Sequence, residues 1–181
     1  MNKRTGVCLL VLGLAARGWS ATGVAEVMGT APHSQVSGTV KFEDTAGGLK
    51  VSAALAGVPA GQHAFHIHEF GSCADSGKAA GGHYNPMSAP HGQVLKDGMA
   101  HAHAGDLGNI TAGADGKATL DAVIPGITLA ASVYTVGGRA VILHEKVDDF
   151  SQPVGNAGSR IGCGPIVLTG APAPAAPPPA K

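Results

Sequence analysis

The chain has 181 residues, with 12 basic and 12 acidic side chains and no concentrated basic run. That balance excludes a nucleic-acid binder or a protein held electrostatically on a membrane surface. Glycine is frequent (28) and aromatic residues make up 4%, and no stretch carries a sustained helical repeat, so short strands and turns carry the fold.

The first 21 residues, MNKRTGVCLLVLGLAARGWSA, place Lys3 and Arg4 ahead of an apolar run over 6–16. The run is shorter than the roughly 20 residues that span a bilayer, and small residues (Gly18, Ser20, Ala21) follow it, so residues 1–21 read as an export signal. Cleavage is expected after Ser20 or Ala21, because an alternating segment over 23–29 reads as a first strand that a cut at Ala25 would halve. Loss of the signal removes Lys3, Arg4 and Arg17, leaving 9 basic against 12 acidic side chains, a net charge of −3. It also removes Cys8, and the remaining pair, Cys73 and Cys163, predicts a disulfide in an exported chain.

Strands are expected over 35–43 (QVSGTVKFE), 49–56 (LKVSAALA), 62–70 (QHAFHIHEF), 117–124 (KATLDAVI), 139–144 (RAVILH) and 165–168 (PIVL). Several alternate apolar and polar residues, and turn-forming residues at 45–48, 115–116 and 137–138 separate them. The expectation is one all-β domain over 22–170, an antiparallel sandwich or barrel. Two Gly- and Pro-rich stretches, 71–99 and 146–162, read as long functional loops. Residues 171–181 (APAPAAPPPAK) hold too little apolar surface to offset their ordering entropy and read as a disordered tail.

Eight of the nine histidines lie between His63 and His144. In HIH, residues i and i+2 of a strand point to one face, so His66 and His68 project side by side while Phe65 and Ile67 turn to the core. His83 follows two glycines in GGHYNP. His91 stands in PHG. His103 and Asp106 form an HxxD unit, with His101 as an alternative to His103. His144 ends an apolar strand. Six histidines and one carboxylate exceed one four-coordinate ion. If His83 serves two ions, each has four ligands: an all-imidazole set that suits copper(II) and a three-imidazole, one-carboxylate set that suits zinc.

HIHEFG, GGHYNP, HAGDLGN, LHEKVDD and GNAGSRIGCG, in this order, resemble the copper,zinc superoxide dismutase family. The resemblance implies a Greek-key β-sandwich or barrel of about eight strands. It implies that His66, His68 and His144 bind copper, that His91, His103 and Asp106 bind zinc, and that His83 bridges both and carries a proton. It further implies that Cys73 and Cys163 pair, that Arg160 guides the anion, that Asp148 joins His66 to His91, and that His63 is a buried structural histidine. The implied reaction converts two superoxide anions and two protons to oxygen and hydrogen peroxide, by alternate reduction and oxidation of copper.

Three departures stand out. Cys73 follows His68 by only five residues, as in bacterial members. The gap between His91 and His103 is long. The 146–162 loop is short, with Val154 where many relatives have threonine. The Cys73 spacing points to a bacterial type and the export signal to secretion, with the periplasm as the expected compartment, and a homodimer is one assembly the resemblance allows. The competing reading, a copper-binding module without turnover, predicts an incomplete copper set or no guiding arginine, whereas His144 and Arg160 are both present.

Overall fold

The computed structural model describes residues 20–130 and 132–170. The expected export signal lies outside them except for Ser20 and Ala21, and the expected tail over 171–181 lies outside entirely. The strands are β1 (Thr22–Gly29), β2 (Ser37–Thr45), β3 (Gly48–Ala56), β4 (Gly61–His68), β5 (Asp106–Ala112), β6 (Ala118–Ile124), β7 (Ala140–His144), β8 (Arg160–Pro165) and β9 (Val167–Gly170). A 3₁₀ turn, Lys78–Ala80, and one helical turn, α1 (Val94–Asp97), interrupt the loops.

All strand pairings are antiparallel. The order β2-β3-β6-β5-β4-β7-β8-β1, with β1 pairing again with β2, closes eight strands into a barrel. The β3-to-β4 and β6-to-β7 connections each pass two intervening strands, which is the Greek-key crossing. β9 extends the line of β8 along β1, pairing with Thr22, Gly23 and Val24 while β8 pairs with Met28 and Gly29.

Alternation sets which side chains go inside. In β3, Leu49, Val51, Ala53 and Leu55 are buried while Lys50, Ala54 and Ala56 face out. Fully buried side chains such as Phe42, Leu49, Phe65 and Ile67 each contribute about 1.5–3 kcal/mol. β7 is buried on both faces: Val141 and Leu143 join the barrel core, while Ala140 and Ile142 pack outward with Ala80, Cys163 and Cys73. Loops therefore cover the outer face of β4 and β7, and the chemistry sits beneath them.

Two strands were not among those expected. β5 follows the HxxD unit directly. β8 has its first half inside the stretch read as a loop, because Gly162 and Gly164 weaken its strand signal. Packing favours both glycines: a Cβ at Gly162 would lie a tight 3.1 Å from Val27 and Val36, and one at Gly164 would lie 2.8 Å from the Glu26 carbonyl oxygen, too close to backbone. β5 and β6 meet at a single residue pair, Ala112 with Ala118. α1 packs against both strands there, Val94 is buried, and the Met99 methyl lies against Gly126.

Candidate metal centre

β4 brings His66 and His68 to its outer face, 0% and 1% exposed, with Phe65 and Ile67 in the core. β7 runs beside it, pairing His66 with Ile142 and His68 with Ala140. His144, on the face of Ala140 and Ile142, sets its Nε2 3.3 Å from His68 Nε2. The loop after β4 folds back so that His83 forms a bridge with His68. This return needs glycine at 81, where φ is +77° and a Cβ would lie 2.6 Å from the Glu69 carboxylate.

Asp106, fully buried at the start of β5, organises the other half. Its Oδ2 accepts from the backbone N–H groups of Gly92 and His103, each at 3.0 Å. His83 Nδ1 lies 2.8 Å and His103 Nδ1 3.1 Å from its Oδ1, and His91 Nδ1 lies 2.8 Å from its Oδ2. The ligand atoms of His66, His68, His83 and His144 lie within 4.8 Å of one another, as do those of His83, His91, His103 and Asp106. His83 belongs to both groups: Nδ1 faces Asp106, which leaves Nε2 for the other three histidines. His101 is exposed and outside both groups. His63 is buried apart, its ring nitrogens 2.9 Å and 2.8 Å from the carbonyl oxygens of His144 and Pro59.

These groups fit metal ions. Buried nitrogens face each other at 3.3 Å in two places, His68 with His144 and His83 with His103, the edge of a tetrahedron whose metal–nitrogen bonds are about 2.0–2.1 Å. His66 Nδ1 and His91 Nδ1 are buried without a hydrogen-bond partner. The latter lies 2.8 Å from an Asp106 carboxylate oxygen without a hydrogen bond to it, and a buried nitrogen left so beside a carboxylate suits a cation.

Asp148 ties the two groups together. Its Oδ2 accepts from His66 Nε2 at 2.8 Å and its Oδ1 from His91 Nε2 at 2.9 Å. Asn109 on β5 holds the Asp148 backbone from both sides, at 2.7 Å to its N–H and 3.0 Å to its carbonyl. Gly155 leaves room for it, since a Cβ there would lie 1.8 Å from Asp148 Oδ1. Neither Asn109 nor Gln152, which bonds the His91 backbone, carried a role in the sequence reading; both act across long sequence separations without a local signature.

A cleft of about 410 Å³ opens over His68, His83 and His144 and is walled by Gly82, Val154, Asn156, Ala157, Gly158 and Arg160. Arg160 donates from its two terminal nitrogens to the carbonyls of Gly77 and Gly81, each at 2.6 Å, and the Gly81 carbonyl also lies 3.0 Å from His68 Nδ1. Cys73 and Cys163 form a disulfide, which fastens the segment bearing Gly77 and Gly81 to β8.

A sequence model of the family described as copper/zinc superoxide dismutase (SODC) matches residues 36–166. The chain belongs to the copper/zinc superoxide dismutase family. It is 39% identical over 140 residues to the extracellular superoxide dismutase [Cu-Zn] of Caenorhabditis elegans, covering 74% of this chain and 62% of that protein. It is 38% identical to superoxide dismutase [Cu-Zn] 3 of Arabidopsis thaliana, covering 76% of this chain and 87% of that one. Identity to superoxide dismutase [Cu-Zn] 5 of Dictyostelium discoideum is 36%, over 74% of this chain and 91% of that protein. The crystal structure of the clock protein EA4 is similar with a TM-score of 0.72 and 31% identity, covering 82% of this chain and 95% of that one. The chain is a superoxide dismutase, and the two histidine groups fit copper and zinc.

Protonation in this superoxide dismutase is arranged for metal uptake. Burial lowers His68 to about 2, His144 to about 3 and His83 to about 4, so these rings are neutral and offer lone pairs at neutral pH. His91 goes the other way: burial lowers it, but the carboxylates of Asp106 and Asp148 beside its ring outweigh burial and raise it to about 9. Hydrogen-bonding histidines hold both carboxyls below the usual carboxylate range despite their burial: His103, His83 and His91 act on Asp106, and His66 and His91 on Asp148. Without an ion, His91 therefore carries a proton at neutral pH, which a metal bound there would displace. Zinc uptake at pH 7 is expected to release about one proton, with release fading as pH rises through about 9. Calorimetry in buffers of different ionisation enthalpy measures it; uptake without proton release at pH 7 contradicts this.

Proposed function

We propose that His66, His68 and His144 hold copper together with His83, that His83, His91, His103 and Asp106 hold zinc, and that Arg160 receives superoxide. The observation that carries this reading is the position of His83, common to both ligand groups and to the open cleft. Copper, when bound, supplies the one-electron couple that zinc lacks.

The residues supply the rest. Arg160 presents a fixed positive fork beside His68 and His144, so a small anion entering the cleft docks against its free N–H groups. Its bonds to Gly77 and Gly81 keep the guanidinium from swinging into solvent. His83 keeps Nδ1 toward Asp106 and can hold a proton at Nε2, on the cleft side, for delivery to peroxide. Asp148 keeps Nε2 of His66 protonated and bonded, which leaves Nδ1 as the ligand atom. A copper-binding module without turnover has no use for an arginine at an open anion cleft, so the enzyme reading is favoured.

The test is decay of superoxide with protein of measured copper and zinc content. Arg160→Ala is expected to lower the second-order rate constant about tenfold or more and to weaken its salt dependence. Arg160→Lys, which keeps charge without the fork, is expected to fall between them. An unchanged rate and salt slope in Arg160→Ala excludes the guiding role.

We also read residues 1–21 as an export signal and the periplasm as the compartment. Lys3 and Arg4 before the apolar run, the disulfide, and a relative named as extracellular support this reading. β1 begins at Thr22, and the Ala21 carbonyl accepts from Asp44 N–H at 2.9 Å, which favours a cut that spares Ala21. N-terminal sequencing of the exported protein locates the cut.

A further inference from the structure

The loop between β7 and β8 grips His91 at several points. Asp148 Oδ1 accepts from His91 Nε2 at 2.9 Å, and Phe150 stacks on the His91 ring with centroids 6.4 Å apart and planes 23° apart. Gly155 packs so close that a Cβ would lie 2.6 Å from His91 Nε2. Gln152 adds contacts of a different kind, to the main chain: Oε1 accepts from His91 N–H at 3.0 Å and Nε2 donates to the His91 carbonyl at 2.8 Å. One side chain thus satisfies both polar groups of a residue 61 positions away.

Gln152 is itself exposed. Fixing a glutamine side chain costs about 1.5–2 kcal/mol of rotamer entropy, which paired amide bonds offset. The next residues in the chain, Val154 and Asn156 to Gly158, wall the cleft over His68, His83 and His144. Gly155 and Gly158 have φ of +72° and +75°, conformations that favour glycine and turn this wall over the site.

We propose that Gln152 is a positioning residue through which zinc occupancy sets the order of the cleft wall. The inference rests on His91 as a zinc ligand. Zinc fixes the His91 ring, the ring fixes its backbone, and Gln152 carries that constraint into residues 153–158. Without Gln152, Asp148 still holds the ring, but the wall beyond it is anchored less firmly. Asp148 acts on the imidazole; Gln152 acts on the loop.

The test compares full-length Gln152→Ala and Gln152→Glu with the parent. Competition with a chelator is expected to show zinc held about tenfold more weakly in Gln152→Ala. Gln152→Glu, which keeps an acceptor for His91 N–H but has no donor for its carbonyl, is expected to be intermediate. Hydrogen exchange supplies the reading that a merely structural residue would not move. The Gly155 amide, bonded to the Ser151 carbonyl at 2.7 Å, is expected to lose protection when zinc leaves the parent. In Gln152→Ala it is expected to exchange quickly with or without zinc. Parent-like zinc affinity and an intact zinc-dependent difference at Gly155 overturn the inference. His91→Ala separates the two readings. If it keeps parent zinc affinity, the ligand assignment fails and this inference with it; if it loses zinc while Gln152→Ala does not, only the role of Gln152 fails.

Discussion

Asp148→Ala is expected to weaken both metal groups at once, with affinity at each falling about 10- to 100-fold. One carboxylate orients a histidine from each group, through bonds of 2.8 Å to His66 and 2.9 Å to His91. Truncation frees both rings to turn and removes the acceptor that selects Nδ1 as the ligand atom. It also leaves two buried imidazole N–H groups without partners, at about 1–3 kcal/mol each. Asp148→Asn separates orientation from packing. It preserves the volume but has one oxygen where two are used, so it can accept from only one of the two histidines and is expected to weaken one group more than the other. Copper and zinc per chain after dialysis against a chelator, alongside the dismutation rate, measure both effects. Parent-like occupancy of both metals in Asp148→Ala contradicts the coupling.

Cys73→Ser combined with Cys163→Ser is expected to lower stability by about 2–5 kcal/mol. The bridge spans 90 residues, and its loss leaves the loop after β4 held by Arg160, by the packing of Ala80 against Ile142 and by backbone bonds of Glu69 to Gly82 and Phe70 to Ala80. Activity is expected to fall as well, with metal content unchanged, because that loop carries the Gly77 and Gly81 carbonyls that fix Arg160. Denaturant midpoints give the first quantity and superoxide decay the second. Repeating the exchange in an Arg160→Ala background isolates the cause: if the bridge acts on rate through Arg160, removing it there changes the rate little.

The candidate site was more legible than the strands around it. The HIH pair announces itself because strand period is two, and seven candidate ligands for two four-coordinate ions require one to be shared; the structure places His83 in both groups. HxxD favours His103 over His101, and the structure gathers His103 into the second group while His101 faces solvent. β8 hid behind Gly162 and Gly164, which exist because β1 packs close against them. β5 hid behind the metal motif at its start, where Asp106 reads as a ligand before it reads as a strand residue. Asn109 and Gln152 act over 39 and 61 residues, and no local pattern encodes a partner that far away. The residues between His91 and His103 read only as an unusually long gap, without the turn of helix they contain.

That gap has a mechanical role. Where β5 and β6 meet at one residue pair, the barrel has a loose stave, and α1 with Met99 is the bung driven into it. The bung hangs between two histidines proposed to hold zinc, His91 on one side and His103 on the other. A barrel built this way springs its leak at one place. If those two histidines hold zinc, stripping it frees both ends of the plug, and hydrogen exchange is expected to rise in β5 and β6.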